Sequence, residues 1–173
     1  ALGSAGGGYG NVDLEDGTKL SIGASQTIGG LSDTTSTLFT DTVTLGANTL
    51  TIGHSTTNLN STFGGGISGT GGIAKAGSGT LTLAGTNSFS GTTSVQNGNL
   101  QLTGSLSTST TLSLGDASNN SGKFILGSSA VAVNQSVAGL SITGTGLNNA
   151  IVGGNSTVAR LTVTNTTGTS VFS

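Results

Sequence analysis

The one histidine, His54, stands beside Ser55, and Asp41 lies a short way upstream. Serine, imidazole and carboxylate are the parts of a nucleophilic triad, in which the ring takes the hydroxyl proton and the acid orients the ring. The chain holds so many serines that this conjunction is uninformative, and a histidine that follows Gly53 at the end of an alternating run reads as an exposed corner residue. Asp13, Glu15 and Asp16 cluster, with Asp33 and Asp41 further on. Paired carboxylates can cleave polysaccharides or hold Ca²⁺. The glycine–aspartate calcium repeat is absent, however, and no second basic group stands ready, so a solvated N-terminal loop accounts for the cluster. Gly69-Thr70-Gly71-Gly72-Ile73-Ala74 satisfies a loose G-x-G-x-x-A. A dinucleotide site needs a helix after that motif; the following residues read as strand, and glycines at corners explain the match. Asn60, Asn119, Asn134, Asn155 and Asn165 open N-x-S/T triplets, which the density of Asn, Ser and Thr produces unaided.

The composition narrows the classes further. Gly supplies 32 of 173 residues, only 6% are charged, and Cys, Pro, Met and Trp are absent. Without Cys there is no disulfide framework, thiolate metal site or cysteine nucleophile. Four basic residues and a net charge of −2 exclude the basic stripe a nucleic-acid partner requires. No run approaches the roughly 18 apolar residues of a membrane span. Collagen would need Pro and a strict three-residue glycine period. Disordered chains combine low hydrophobicity with high net charge; here the charge is low and the apolar residues are patterned. Residues 1–10 show neither the charged region nor the apolar core of a signal peptide. A chain that opens on Ala1 with no Met is expected to derive from a longer protein.

Leu, Ile or Val alternates with small or polar residues in Thr42–Leu45, Thr49–Ile52, Thr80–Leu83, Asn99–Leu102, Thr111–Leu114, Ala130–Val133 and Arg160–Val163. Alternation puts one face of a strand in a core and the other in water, and β-branched residues suit that surface. Gly46, Gly53, Gly85, Gly104 and Gly115 close such runs, and Asn97-Gly98 is a strong turn pair. No window shows a helical period. Runs this short, with 3% aromatic residues, cannot fill a sandwich core. A stacked coil can: each turn supplies short strands, its neighbours complete the sheets, and Thr, Ser and Asn ladder between turns. The expected fold is all-β, a parallel β-solenoid of short strands with Gly and Asn corners and no substantial helix. Phe63, Phe89 and Phe172 are expected at coil corners. Tyr9 and the remaining Phe are scattered, so no aromatic platform for carbohydrate is visible.

Gln26–Ser32 is similar to Gln135–Ser141, and Thr49–Phe63 to Arg160–Phe172. These matches predict one continuous segment over 1–173, made of about one and a half copies of a repeat roughly 110 residues long, which stops mid-repeat at Ser173. At roughly 20 residues per coil and about 4.8 Å per rung, some eight coils would form a rod near 40 Å long.

Residues 67–102 carry the most specific pattern: Gly69, Gly71, Ile73, Lys75, Gly77, Gly79, Thr80, Leu81, Leu83, Gly85, Asn87, Phe89, Gly91, Thr93, Val95, Gly98 and Leu100 in fixed spacing. This resembles the passenger-associated transport repeat of autotransporters, also called the autotransporter-associated β-strand repeat. Ile73 replaces the usual Leu, and Phe89 the usual Tyr. The resemblance implies a right-handed parallel β-helix displayed outside a bacterial cell, extracellular or on the cell surface, with the repeat serving passenger secretion and folding. Lys75 takes the motif's lysine position, where capping of carbonyls is expected and no catalysis. The absence of Cys fits threading through an outer-membrane pore.

Three functions follow as expectations. The first is a non-enzymatic stalk, spacer or fibre segment, with no cofactor and with self-association through end coils as its partnership. The second is an adhesin that binds a host-surface or matrix ligand through loops at 53–66 and 116–122. The third, a polysaccharide lyase or hydrolase on the same fold, asks for charged groups that this chain scarcely has.

Overall fold

The computed structural model describes residues 9–33, 40–54, 58–154 and 158–164, and its regular structure is entirely β. The chain winds in coils of up to three short strands. The first coil holds β1 (Asn11–Asp13), β2 (Lys19–Ser21) and β3 (Gln26–Ile28); the second, β4 (Gly30–Ser32), β5 (Thr42–Thr44) and β6 (Thr49–Ile52). The third holds β7 (Ser61–Phe63), β8 (Gly66–Ser68) and β9 (Gly72–Lys75). The next two have two strands each: β10 (Thr80–Leu83) with β11 (Thr93–Val95), then β12 (Gly98–Leu102) with β13 (Thr111–Leu114). Last come β14 (Gly122–Leu126), β15 (Asn134–Val137) and β16 (Gly139–Ile142), then β17 (Ala150–Gly153) and β18 (Arg160–Val163).

Stacking the coils produces three faces, and every strand pair is parallel. The third face is an unbroken six-stranded sheet in the order β3-β6-β9-β11-β13-β16. The first face is divided into β1-β4 and the five-stranded β7-β10-β12-β14-β17. The second holds β2-β5-β8 and, further along, β15-β18. Seven rungs at about 4.8 Å make the described rod roughly 30 Å long, shorter than the eight-coil expectation because most coils exceed 20 residues. Val43 stands opposite Ile67, 24 residues on, and Leu112 opposite Leu140, 28 residues on. Shorter turns lie between, Ile73 opposite Thr93 at 20 residues and Leu81 opposite Leu100 at 19, and the first step, Asn11 opposite Gly30, is also 19.

In-register stacking turns alternation into columns. On the first face Phe63, Leu83, Leu102 and Leu126 line up inward, and on the third Leu50, Ile73, Thr93, Leu112 and Leu140 do the same. One hydrophobic core results, running from Leu14 to Leu140, in which Phe63, Phe89 and Phe124 are fully buried. Each buried Leu, Ile or Phe contributes about 1.5–3 kcal/mol, and small exteriors let the columns close.

On the second face, two coils have no strand. There Asn87 and Gln135 restore the pairing with side chains. Ile67 N donates to Asn87 Oδ1 at 3.2 Å, while Asn87 Nδ2 donates to the carbonyls of Gly85 and Ser105, both at 3.0 Å. Leu106 N donates to Gln135 Oε1, and Gln135 Nε2 returns a bond to Leu106 O, each at 2.9 Å. A primary amide carries the donor and acceptor of a peptide group, so it substitutes for one.

Ala130–Val133 is a correction to the alternation reading: it is not a strand. Ser128 and Val131 exchange backbone hydrogen bonds, and Ser128 Oγ accepts from Ala130 N and Val131 N, so the segment folds into a tight turn. The strand slot on that face is taken by β15. Asn97-Gly98 is a corner between consecutive coil faces rather than a hairpin, with Gly98 at φ 67°. The similar segments Gln26–Ser32 and Gln135–Ser141 lie on different faces, since β3 pairs with β6 in the six-stranded sheet and β15 with β18 in the second face.

Candidate functional site

Lys75 is the least ordinary side chain in the interior. It ends β9 in the inward column Ile28, Ile52, Lys75, Val95, Leu114, Ile142, where every other member is apolar. Only 2% of it is exposed. Its stem packs in the column and its ammonium turns into the corner, donating to Ala76 O at 2.6 Å, Gly77 O at 2.8 Å and Asn97 O at 3.3 Å. Burial lowers its pKa to about 8, while three carbonyls favour the charged form. Gly77 and Gly98 flank this corner with φ 74° and 67°, a backbone shape that L side chains rarely adopt.

Around that corner the coil is built from close approaches. A Cβ on Gly85 would strike the Gly65 carbonyl, and one on Gly104 would strike that of Gly85, each far inside 3.0 Å. Gly71, Gly79 and Gly91 likewise lie against Asn48, Leu59 and Gly71 backbone, and Gly69 has φ 125°. Phe89 and Val95 are fully buried. Thr93, also fully buried, meets Thr110 Oγ1 at 3.1 Å, and Thr110 in turn donates to Gly91 O. Thr80, Leu81 and Leu83 form β10, and Leu100 stands opposite Leu81. The arrangement holds coils at their shortest length by letting backbone touch backbone.

Residues 73–102 match the family model of the passenger-associated-transport-repeat. The match runs from β9 to the end of β12 and so contains one step of the third-face ladder and one of the first. The matched residues make about one and a half tight coil turns, with the lysine plug at their start. Curated proteins and solved structures yield no match to the chain.

The acidic residues fall into separate roles. Asp33 is 3% exposed; both its carboxylate oxygens accept from Gly64 N, at 2.9 and 2.8 Å, and one accepts from Gly65 N at 2.8 Å. Asp41, 1% exposed, accepts from Thr18 N at 2.8 Å, and its Oδ2 has no hydrogen-bond partner among the described residues. Both sit at the corner between the first and second faces, so neither belongs to a solvated acidic loop. Asp13 lies exposed on β1 and accepts from Ser32 Oγ at 2.9 Å, and Glu15 and Asp16 are exposed in the turn that follows. Among the described residues no three His, Cys, Asp or Glu converge as a metal site, the Ca²⁺ candidates Asp13, Glu15 and Asp16 included.

His54 follows β6 at the corner between the third and first faces, away from the corner of Asp41, and it is half-buried with its ring 4.7 Å from that of Tyr9. Ser55, Asn155, Asn165 and Phe172 lie outside the described residues. The two expected loops do meet in part: His54, Asp116, Ser118 and Asn120 share a corner groove with Gln96 and Asn97. Asn120 Nδ2 donates to Asp116 Oδ2, and the backbone of Ser118 and Asn120 donates to Oδ1, which together hold that carboxyl below the usual range. Sequence reasoning missed Asp33, Gln135 and Thr110 as structural polar groups. Their signal is the unpaired N–H or carbonyl each one meets, which exists only once coils stack.

Proposed function

We propose that this chain is a structural segment of a secreted or surface-displayed protein, a stiff non-enzymatic spacer of the autotransporter-passenger kind. The observation that carries the reading is the use of interior charge. Lys75 and Asp33, buried in and beside one continuous core, have their polar atoms engaged by backbone groups. Such groups hold the coil rather than perform chemistry. The transport repeat at 73–102 supports secretion and surface display, and among the described residues the first and last coils carry strands paired on one side only, which further coils, of the same chain or of a second copy, would extend.

Electron microscopy of the purified chain across a concentration series tests the reading. Short rods at every concentration are expected of a spacer. Filaments with an axial repeat of whole coils would move the function to a self-assembling fibre. Compact particles without an axis, or cleavage of polysaccharide by the purified chain, would overturn it.

A further inference from the structure

The first face is broken once, and the break opens a groove of about 540 Å³. Between β4 and β7 the regular ladder gives way to two contacts: Leu31 N donates to Ser61 Oγ at 3.4 Å, and Asp33 N to Thr62 O at 3.3 Å. One wall is a hydrogen-bonded chain in which Asn11 Nδ2 donates to Ser32 Oγ at 3.0 Å and Ser32 Oγ donates to Asp13 Oδ1 at 2.9 Å. Outward Thr62, Thr80 and Thr82 form the other wall, on paired strands β7 and β10. Leu59, 46% exposed, closes one end. Its loop is pinned by Asn60 Oδ1, which accepts from Thr80 N at 2.7 Å, and it comes close only because position 79 is glycine.

We infer that this groove binds a neutral oligosaccharide. Its lining offers hydroxyls that donate and accept, as sugar hydroxyls do: Thr62 is exposed, Thr82 Oγ1 donates to Gln101 Oε1 at 3.3 Å and can still accept, and Thr80 Oγ1 accepts from Asn99 Nδ2 at 3.1 Å and can still donate, while Leu59 supplies an apolar side chain for the C–H face of a ring. Among the described residues that line it there is no cation to hold a uronate or sulfate group. Strand-borne side chains hold the polar groups in place. Among the described residues that line it there is no aromatic ring to stack on a sugar, so single-site affinity is weak, with Kd near the millimolar range. The inference is independent of the spacer reading, since a rod can carry a lateral site.

Isotope-labelled full chain is titrated by NMR with maltohexaose, cellohexaose and laminarihexaose as neutral probes and hexaguluronate as the acidic one, each to about 20 mM. At least one neutral probe is expected to shift Thr62, Thr80 and Thr82 amides, and hexaguluronate to shift none. The isosteric variant Thr62→Val keeps a β-favouring side chain at an exposed position; its melting temperature should match the parent while affinity falls about fivefold, the size of one lost hydrogen bond. No shift with any neutral probe, shifts confined to the His54 corner, equal binding of hexaguluronate by the parent, or undiminished affinity in the folded Thr62→Val variant would each overturn the inference.

Discussion

Lys75 stands directly opposite Ile52 on the neighbouring strand, at a position where every other rung of the column carries an apolar residue. The pairing places a cation in line with a hydrocarbon core and forces its head group to turn sideways into the carbonyls of the corner. An isolated ammonium there would be prohibitive; three carbonyl oxygens make it tolerable. The lysine thus joins core and corner in one side chain.

Stability should rise with pH above neutrality. The folded pKa of Lys75, about 8, lies below its ordinary 10.5, so the unfolded chain binds the extra proton between these values. Below pH 8 both states are charged and the fold carries the full cost of the buried cation. Raising pH from 8 to 10.5 relieves it by up to about 3 kcal/mol. Chemical denaturation across that window, compared with Lys75→Met, measures the difference. A parent curve that runs parallel to the variant's would refute the assignment.

Asp33→Asn should destabilise by about 1–3 kcal/mol. The carboxylate accepts from two consecutive backbone N–H groups with both oxygens, whereas an amide has a single oxygen and turns its own donors toward one of them. Urea midpoints of the two chains decide it, and equal midpoints would mean that the corner relaxes.

Much of this architecture was legible because alternation and stacking obey the same period of two. Thr49–Ile52, Thr80–Leu83, Thr111–Leu114 and Arg160–Val163 are strands residue for residue. Ala130–Val133 alternates as well, yet a face has one slot per coil and Asn134–Val137 fills it. The corner role of Asn97-Gly98 needed the partner coil, since a turn pair alone does not say whether the next strand returns or advances. The groove beside Thr62 was invisible for the same reason: it arises where the regular ladder lapses between β4 and β7 of successive coils, and no local pattern encodes the distance between coils. The buried states of Asp33 and Asp41 were equally hidden, because their neighbours come from coils 23 or more residues away.

Asn87→Leu should cost about 3 kcal/mol or more. Leucine matches the volume and suits a core, but it strands Ile67 N–H and removes one partner from the carbonyls of Gly85 and Ser105. Each buried group left unpaired costs about 1–3 kcal/mol. Thermal unfolding should show a lower midpoint, and hydrogen exchange should show the Ile67 amide losing protection before those of β10. Retained protection at Ile67 would mean that another acceptor moves in.

Two glycine substitutions separate close approach from backbone conformation. Gly85 has no positive φ, so its need for glycine rests on contact alone: a Cβ would collide with the carbonyls of Gly64 and Gly65 on the coil beneath. Those atoms belong to backbone that also engages Asp33, and they cannot swing aside as a side-chain tip would. Gly85→Ala should therefore destabilise by about 1–3 kcal/mol, as overpacking does. A methyl group on Gly23 would meet nothing within 4 Å, and φ there is not positive, so Gly23→Ala should be neutral or add about 0.4–1 kcal/mol by restricting the unfolded chain. Opposite signs in parallel urea melts are the expected result. If Gly85→Ala were as stable as the parent, the carbonyl stack would have to open without loss, and the tight coil at 73–102 would owe its length to something other than contact between glycines.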